Sequence, residues 1–102
     1  MSESNYQAKL IKKLESYEYY VIKLIQTNKN GIADLLALKK GEDPWFIEVK
    51  GRKTKIDPLQ FYRQKECSEK GFRANITREG DTFLEELDTI HLNKKCISSI
   101  DS

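Results

Sequence analysis

No run of apolar residues in this chain approaches the ~20 that a membrane-crossing helix requires, so neither a membrane span nor a membrane partner is expected. The opening, MSESNYQAKLIKK, has no apolar signal core, which leaves export unsupported and points to a cytoplasmic protein. Cysteine is scarce. Cys67 and Cys96 stand far apart beside a single histidine, His91, so no zinc-ligand spacing such as C-x-x-C exists. In a reducing compartment the two thiols are expected to be free. Gly51-Arg52-Lys53-Thr54 lacks the glycine spacing of a phosphate-binding P-loop, which removes nucleotide hydrolysis from consideration. Repeats, low-complexity stretches and linkers are also missing, and 102 residues suit one domain, 1–102, with the last ten or so residues loosely ordered.

Charge is what the chain has in excess. Charged residues make up 33%, above the usual quarter, while 38% hydrophobic residues still permit a single modest core. A net charge of +2 identifies no partner, but its distribution is uneven. Residues 1–49 carry seven charges of each sign, 50–73 carry eight basic and three acidic, and 74–102 carry three basic and six acidic. A basic block confined to one segment is the pattern of phosphate contact on one face.

Local patterns give the order α-β-β-β-α-β-α. Ser4-x-x-Gln7 reads as a capping box opening a helix over 4–17, with Tyr6, Leu10, Leu14 and Tyr17 at helical spacing. Residues 19–25, 32–38 and 45–50 read as strands, the last two joined as a hairpin by the turn residues Lys40 to Pro44. Asp57-Pro58 starts a second helix that Gly71 ends. Residues 72–77 form a short fourth strand, and Thr82-x-x-Glu85 opens a third helix with Phe83, Leu87 and Ile90 on one face. A hairpin-rich sheet of about four strands flanked by helices is an α/β fold.

Strand periodicity then locates a chemical constellation. In residues 45–50 the alternation puts Trp45, Ile47 and Val49 on one face and Phe46, Glu48 and Lys50 on the other. If the hairpin turns about Gly41, Asp34 falls opposite Glu48. Two carboxylates ~5 Å apart repel by roughly 3 kcal/mol at an effective dielectric near 20. A hard divalent cation offsets that repulsion, and Mg²⁺ or Mn²⁺ suits a pair of carboxylates because it keeps waters for substrate and nucleophile. Lys50, on the same face, is placed to orient a water or stabilise charge on a phosphate. The acid-x-Lys tripeptide alone is unspecific. Its weight comes from the apolar strand around it, the hairpin register with Asp34 and the basic loop that follows.

These residues resemble a known family. Gly31-Ile32-Ala33-Asp34, Ile47-Glu48-Val49-Lys50-Gly51, Leu59-Gln60 and Gly71 are similar to the PD-(D/E)XK nucleases, specifically the small virus-type replication-repair nuclease (VRR-Nuc) group, over roughly residues 3–77. The resemblance implies a restriction-endonuclease-like core and a metal-dependent nuclease. It assigns Asp34, Glu48, Glu3 and the Val49 backbone carbonyl to the metal, Lys50 to the attacking water, and Gln60 to support of the site. Glu3 is the better match for the acid on the first helix, with Glu15 as its competitor. It further implies branched DNA such as four-way junctions as substrate, a homodimer, and a phage or bacterial protein acting in the host cell. Where the family has proline before the aspartate this chain has Ala33, a departure that bears on backbone geometry.

Blander roles compete with each assignment. Gln60 stands at the third helical position after Asp57, where a glutamine reaches back to cap the helix, and the two roles are compatible. Glu3 also suits a helix start as a favourable negative charge. Arg52, Lys53 and Lys55 are expected to contact DNA phosphates, against solvated loop charges. Trp45 and Tyr62 read as packing residues, and His91 as a poor general base. The alternative for the whole chain is a noncatalytic nucleic-acid-binding module that keeps the fold.

Overall fold

The computed structural model describes the backbone of residues 3–101 and the side chains of residues 3–92. The elements follow the expected order: α1 (Glu3–Ser16), β1 (Tyr20–Lys23), β2 (Leu35–Leu38), β3 (Trp45–Lys50), α2 (Pro58–Glu69), β4 (Arg73–Arg78) and α3 (Phe83–Asp101). The strands lie side by side as β1-β2-β3-β4, with the first two pairings antiparallel and the last parallel. A parallel neighbour needs a long crossover, and α2 supplies it between β3 and β4. The result is the mixed α/β sheet flanked by helices expected of a restriction-endonuclease-like core.

The register of the β2–β3 hairpin follows from its turn. Gly41 adopts φ +83, and the Glu42 N–H donates to the Lys39 carbonyl at 3.1 Å. Leu35 then pairs with Ile47 and Ala37 with Trp45, the register that a turn about Gly41 predicts. Leu35, Ala37, Trp45, Ile47 and Val49 are buried in one core with Tyr6, Leu10 and Leu14 of α1 and Leu87 of α3. Burying a Leu or Ile side chain stabilises the fold by roughly 1.5–3 kcal/mol, and Leu10, Leu14, Leu35 and Ile47 are all fully buried. The opposite face of β3 looks toward α2. Phe46 and Phe72 pack with ring centroids 5.7 Å apart, beside the buried Cys67. The Cys67 thiol is free, and burial pushes its pKa up.

Several elements differ from expectation for identifiable reasons. Glu3 is already helical, so Ser4 lies in the first turn of α1 rather than at its cap. Tyr17 falls just outside the helix, which Glu18 ends in the left-handed region at φ 72, with the Tyr19 N–H bonded to the Leu14 carbonyl at 3.1 Å. Thr82 precedes α3, but its hydroxyl donates to Glu86 at 3.1 Å instead of forming a box with Glu85. The inward stripe of α3 runs through the half-buried Phe83, the buried Leu87 and the half-buried His91 at four-residue steps, which leaves Ile90 46% exposed. The α3 backbone is helical to Asp101; the side chains of the last ten residues, expected to be loose, and that of Cys96 lie outside the described residues. Among the described residues no helix is long and apolar enough to cross a membrane.

The largest difference positions the site. Strand β2 begins at Leu35 rather than at residue 32, because residues 31–34 bend around the start of α2. Gly31 adopts φ +79, and a Cβ there would sit 2.7 Å from Leu59 Cγ. Only glycine tolerates both that backbone and that approach. The bend packs the first turn of α2 against the end of the hairpin.

Candidate active site

Asp34 stands one residue beyond the last regular β2–β3 pair, so the register continued by one sets it across from Glu48. Its backbone carbonyl still accepts the Leu24 N–H at 2.8 Å, but toward β3 the side chain takes over: Asp34 Oδ2 accepts the Val49 N–H at 2.9 Å. This anchor holds Asp34 with Ala33 buried beside it. The same bond fixes Val49, whose carbonyl the family resemblance assigns to the metal. A carboxylate offers about four lone-pair sites, so a single bond leaves Asp34 acceptor capacity.

Glu48 is the centre of the arrangement. It is only 2% exposed, on an interior strand of the sheet, facing α2. Its Oε2 accepts from Gln60 Nε2 at 2.7 Å and lies 3.6 Å from Lys50 Nζ. Its Oε1 is buried with no hydrogen-bond partner. Leaving a buried acceptor unsatisfied costs ~1–3 kcal/mol, more for a charged group, so folding alone does not account for it. Burial, and then the charge of Asp34, push the Glu48 carboxyl up to about 7, against the opposing pull of Lys50; Glu3 adds a further upward push.

Gln60 serves both roles read for it. Its Oε1 accepts the Asp57 N–H at 3.0 Å, while Asp57 Oδ1 accepts the Leu59 N–H at 2.8 Å, which closes a capping box at the start of α2. Its Nε2 is left to reach Glu48. Lys50 is buried at 8% exposure. Glu3 lies at the rim: its Oε2 is 3.6 Å from where a Cβ on Gly51 would stand. Glu15 is twelve residues further along α1 than Glu3, ~18 Å at 1.5 Å per residue. Among the described residues no three His, Cys, Asp or Glu side chains gather around one point. Asp34 and Glu48 thus form a two-acid centre with Glu3 beside it. Oxygen donors on two carboxylates, one of them with an unpartnered buried oxygen, fit Mg²⁺ or Mn²⁺, which retain waters in such sites.

The basic loop follows directly. Arg52, Lys53 and Lys55 are exposed between β3 and α2. Arg52 is not a lone charge, however, since its Nη2 is 3.8 Å from Oε1 of Glu79, a buried acid just past β4. Sequence reading missed Glu79 and its neighbour Arg78, whose Nη1 donates to the carbonyls of Gly51 at 2.8 Å, Arg52 at 3.4 Å and Thr54. The parallel register, Lys50 opposite Arg78, would have revealed them, but no turn fixes it in the sequence.

The aromatic expectations divide. Trp45 is a packing residue, with Nε1 donating to Asn75 Oδ1 at 2.7 Å and Arg73 stacked 4.2 Å from its ring centroid. Tyr62 is 59% exposed on α2, outside the core, with the Arg63 guanidinium 5.5 Å from its ring centroid. His91 bonds the Leu87 carbonyl through Nδ1 at 2.7 Å and stacks on Tyr17, which follows the far end of α1 from Glu3.

An antiparallel hairpin extended by a parallel strand sets Asp34, just before β2, across from Glu48 of β3, with Lys50 beside Glu48 and Gln60 of the first turn of α2 bonded to it. The fold is of the VRR-Nuc type. The chain matches a solved structure described as a VRR_NUC domain with a TM-score of 0.67 at 22% sequence identity, over 86% of this chain and 91% of that one. No protein-family model and no curated protein matches the sequence.

Proposed function

We propose that this chain is a Mg²⁺- or Mn²⁺-dependent DNA endonuclease that hydrolyses phosphodiester bonds. The observation that carries the reading is Glu48: a buried carboxylate with one unpartnered oxygen, facing a second acid and flanked by a lysine. Asp34, Glu48 and the Val49 carbonyl would hold the ion, with Glu3 at the rim. The ion, when bound, would supply charge stabilisation to a phosphoryl oxygen.

The chain's own groups account for the rest. Gln60 fixes one Glu48 oxygen and so the direction of the other. Lys50, with three N–H donors and little solvent around it, orients the attacking water or stabilises the charge that grows on the phosphate. Arg52, Lys53 and Lys55 bind backbone phosphates, which positions DNA without reading its sequence. Selectivity then comes from DNA shape. Branched DNA such as a four-way junction is the proposed substrate, cut by a homodimer whose two sites make two symmetric incisions. The proposed setting is the cytoplasm of a bacterium, as a bacterial or phage protein.

Labelled four-way junction, duplex and single-stranded DNA incubated with Mg²⁺, Mn²⁺ or chelator test the reading. Cleavage is expected with metal only and in preference for the junction. Cleavage that survives chelation, or persists in Asp34→Ala, would refute it. Binding without cleavage under every metal condition would leave the noncatalytic module as the correct reading.

A further inference from the structure

We propose that Arg78 is the positioning residue of the DNA-contacting loop, an inference that rests on the nuclease reading. The chain leaves β3 at Lys50 and must reverse into a loop before α2. Residues 52–55 of that loop are exposed and belong to no strand or helix. A single guanidinium nitrogen from the end of β4 donates its two N–H groups among three of the loop's carbonyls, those of Gly51 and Thr54 and, at the longer distance of 3.4 Å, Arg52. The Thr54 N–H closes the turn back onto the Gly51 carbonyl at 3.3 Å.

The backbone that carries the guanidinium is itself fixed. The Arg78 N–H donates to Asp81 Oδ2 at 2.9 Å, and the following Glu79 N–H donates to the Lys50 carbonyl at 2.9 Å. Gathering three carbonyls around one cation curls the loop about Arg78, with the Arg52 and Lys53 side chains left exposed on it. Glu79, 3.8 Å from Arg52, restrains that side chain from the same strand end. The tie also reaches the acid centre, because Gly51 is the residue against which Glu3 rests. Arg78, bonded to the loop carbonyls and paired with Lys50 at the end of β3, thereby couples the geometry of phosphate contact to that of the proposed metal-binding end of β3.

Two measurements on the full chain test this. The first needs no DNA: tryptic cleavage after Arg52 and Lys53 is followed under conditions where circular dichroism shows the fold intact. Arg78→Met is expected to be cut there at least about tenfold faster than wild type. The second is junction binding in chelator across a salt series. Arg78→Met is expected to lower the slope of log affinity against log salt by about two units, as Arg52→Ala/Lys53→Ala does at roughly one per phosphate contact. The triple variant is expected to match that double variant, since positioning and positioned residues act as a unit. Should Arg78→Met not fold, Arg78→Lys, a point charge without the planar fork, is read the same way with intermediate values expected. Unchanged trypsin and slope values, or a triple variant that loses a further unit because Arg78 contacts phosphate itself, would overturn the inference. Failure of wild type to bind DNA at low salt would instead refute the nuclease reading beneath it.

Discussion

Gln60 and Glu48 are joined by a 2.7 Å hydrogen bond from an amide that is simultaneously half of a helix cap. The start of α2 and the buried acid on β3 are therefore positioned by one side chain, and the two functions can be separated by substitution. Gln60→Glu keeps an oxygen able to reach the Asp57 N–H but sets a third acid against Glu48. It is expected to fold and to lose about tenfold or more in cleavage rate. Gln60→Ala is expected to lose the bond to the Asp57 N–H as well, at ~0.5–1.5 kcal/mol, while the Asp57 side chain keeps its own bond to the Leu59 N–H. Denaturant unfolding beside a cleavage assay distinguishes the two.

The raised pKa of Glu48 makes metal-free stability fall with pH. Between its ordinary value of 4.5 and about 7, the native protein binds a proton at Glu48 that the unfolded chain has released. Stability declines wherever the native state binds more protons, so this penalty is absent below pH 4.5 and complete above about 7. Relative to wild type, Glu48→Gln is expected to melt at a similar temperature at low pH and several degrees higher at pH 8 in chelator. A difference that is flat across this range in thermal melts would contradict the assignment.

Asp34 contributes both a hydrogen bond and a charge. Asp34→Asn retains an acceptor for the Val49 N–H and is expected to fold normally while losing cleavage by at least about a hundredfold. Asp34→Ala strands that N–H and is expected to cost a further ~1–3 kcal/mol of stability. Mn²⁺ should raise the melting temperature of wild type by mass action and leave Asp34→Asn unmoved.

Gly31 is essential for geometry rather than chemistry. Gly31→Ala is strained at φ +79 and drives its methyl group into Leu59, 2.7 Å from the Cβ position. The expected outcome is destabilisation of more than ~1 kcal/mol together with weaker Mn²⁺ binding, because Leu59 and Gln60 are consecutive in α2. Equal stability in denaturant would show that the bend does not hold α2 in place.

Much of this molecule was legible in local patterns. The period-two alternation of residues 45–50 separated the core face from the Glu48 and Lys50 face, and one turn at Gly41 set the hairpin register that brings Asp34 level with Glu48. Asp57-Pro58-Leu59-Gln60 announced both its helix and its cap. These features depend on neighbours a few residues apart, where backbone geometry leaves few choices. The burial of Glu48, its unpartnered oxygen and the grip of Arg78 on the loop were decided by tertiary structure. They arise where β4 returns beside β3 through a helical crossover and α2 closes over the sheet, and no local turn dictates the offset of parallel strands brought together from 28 residues apart.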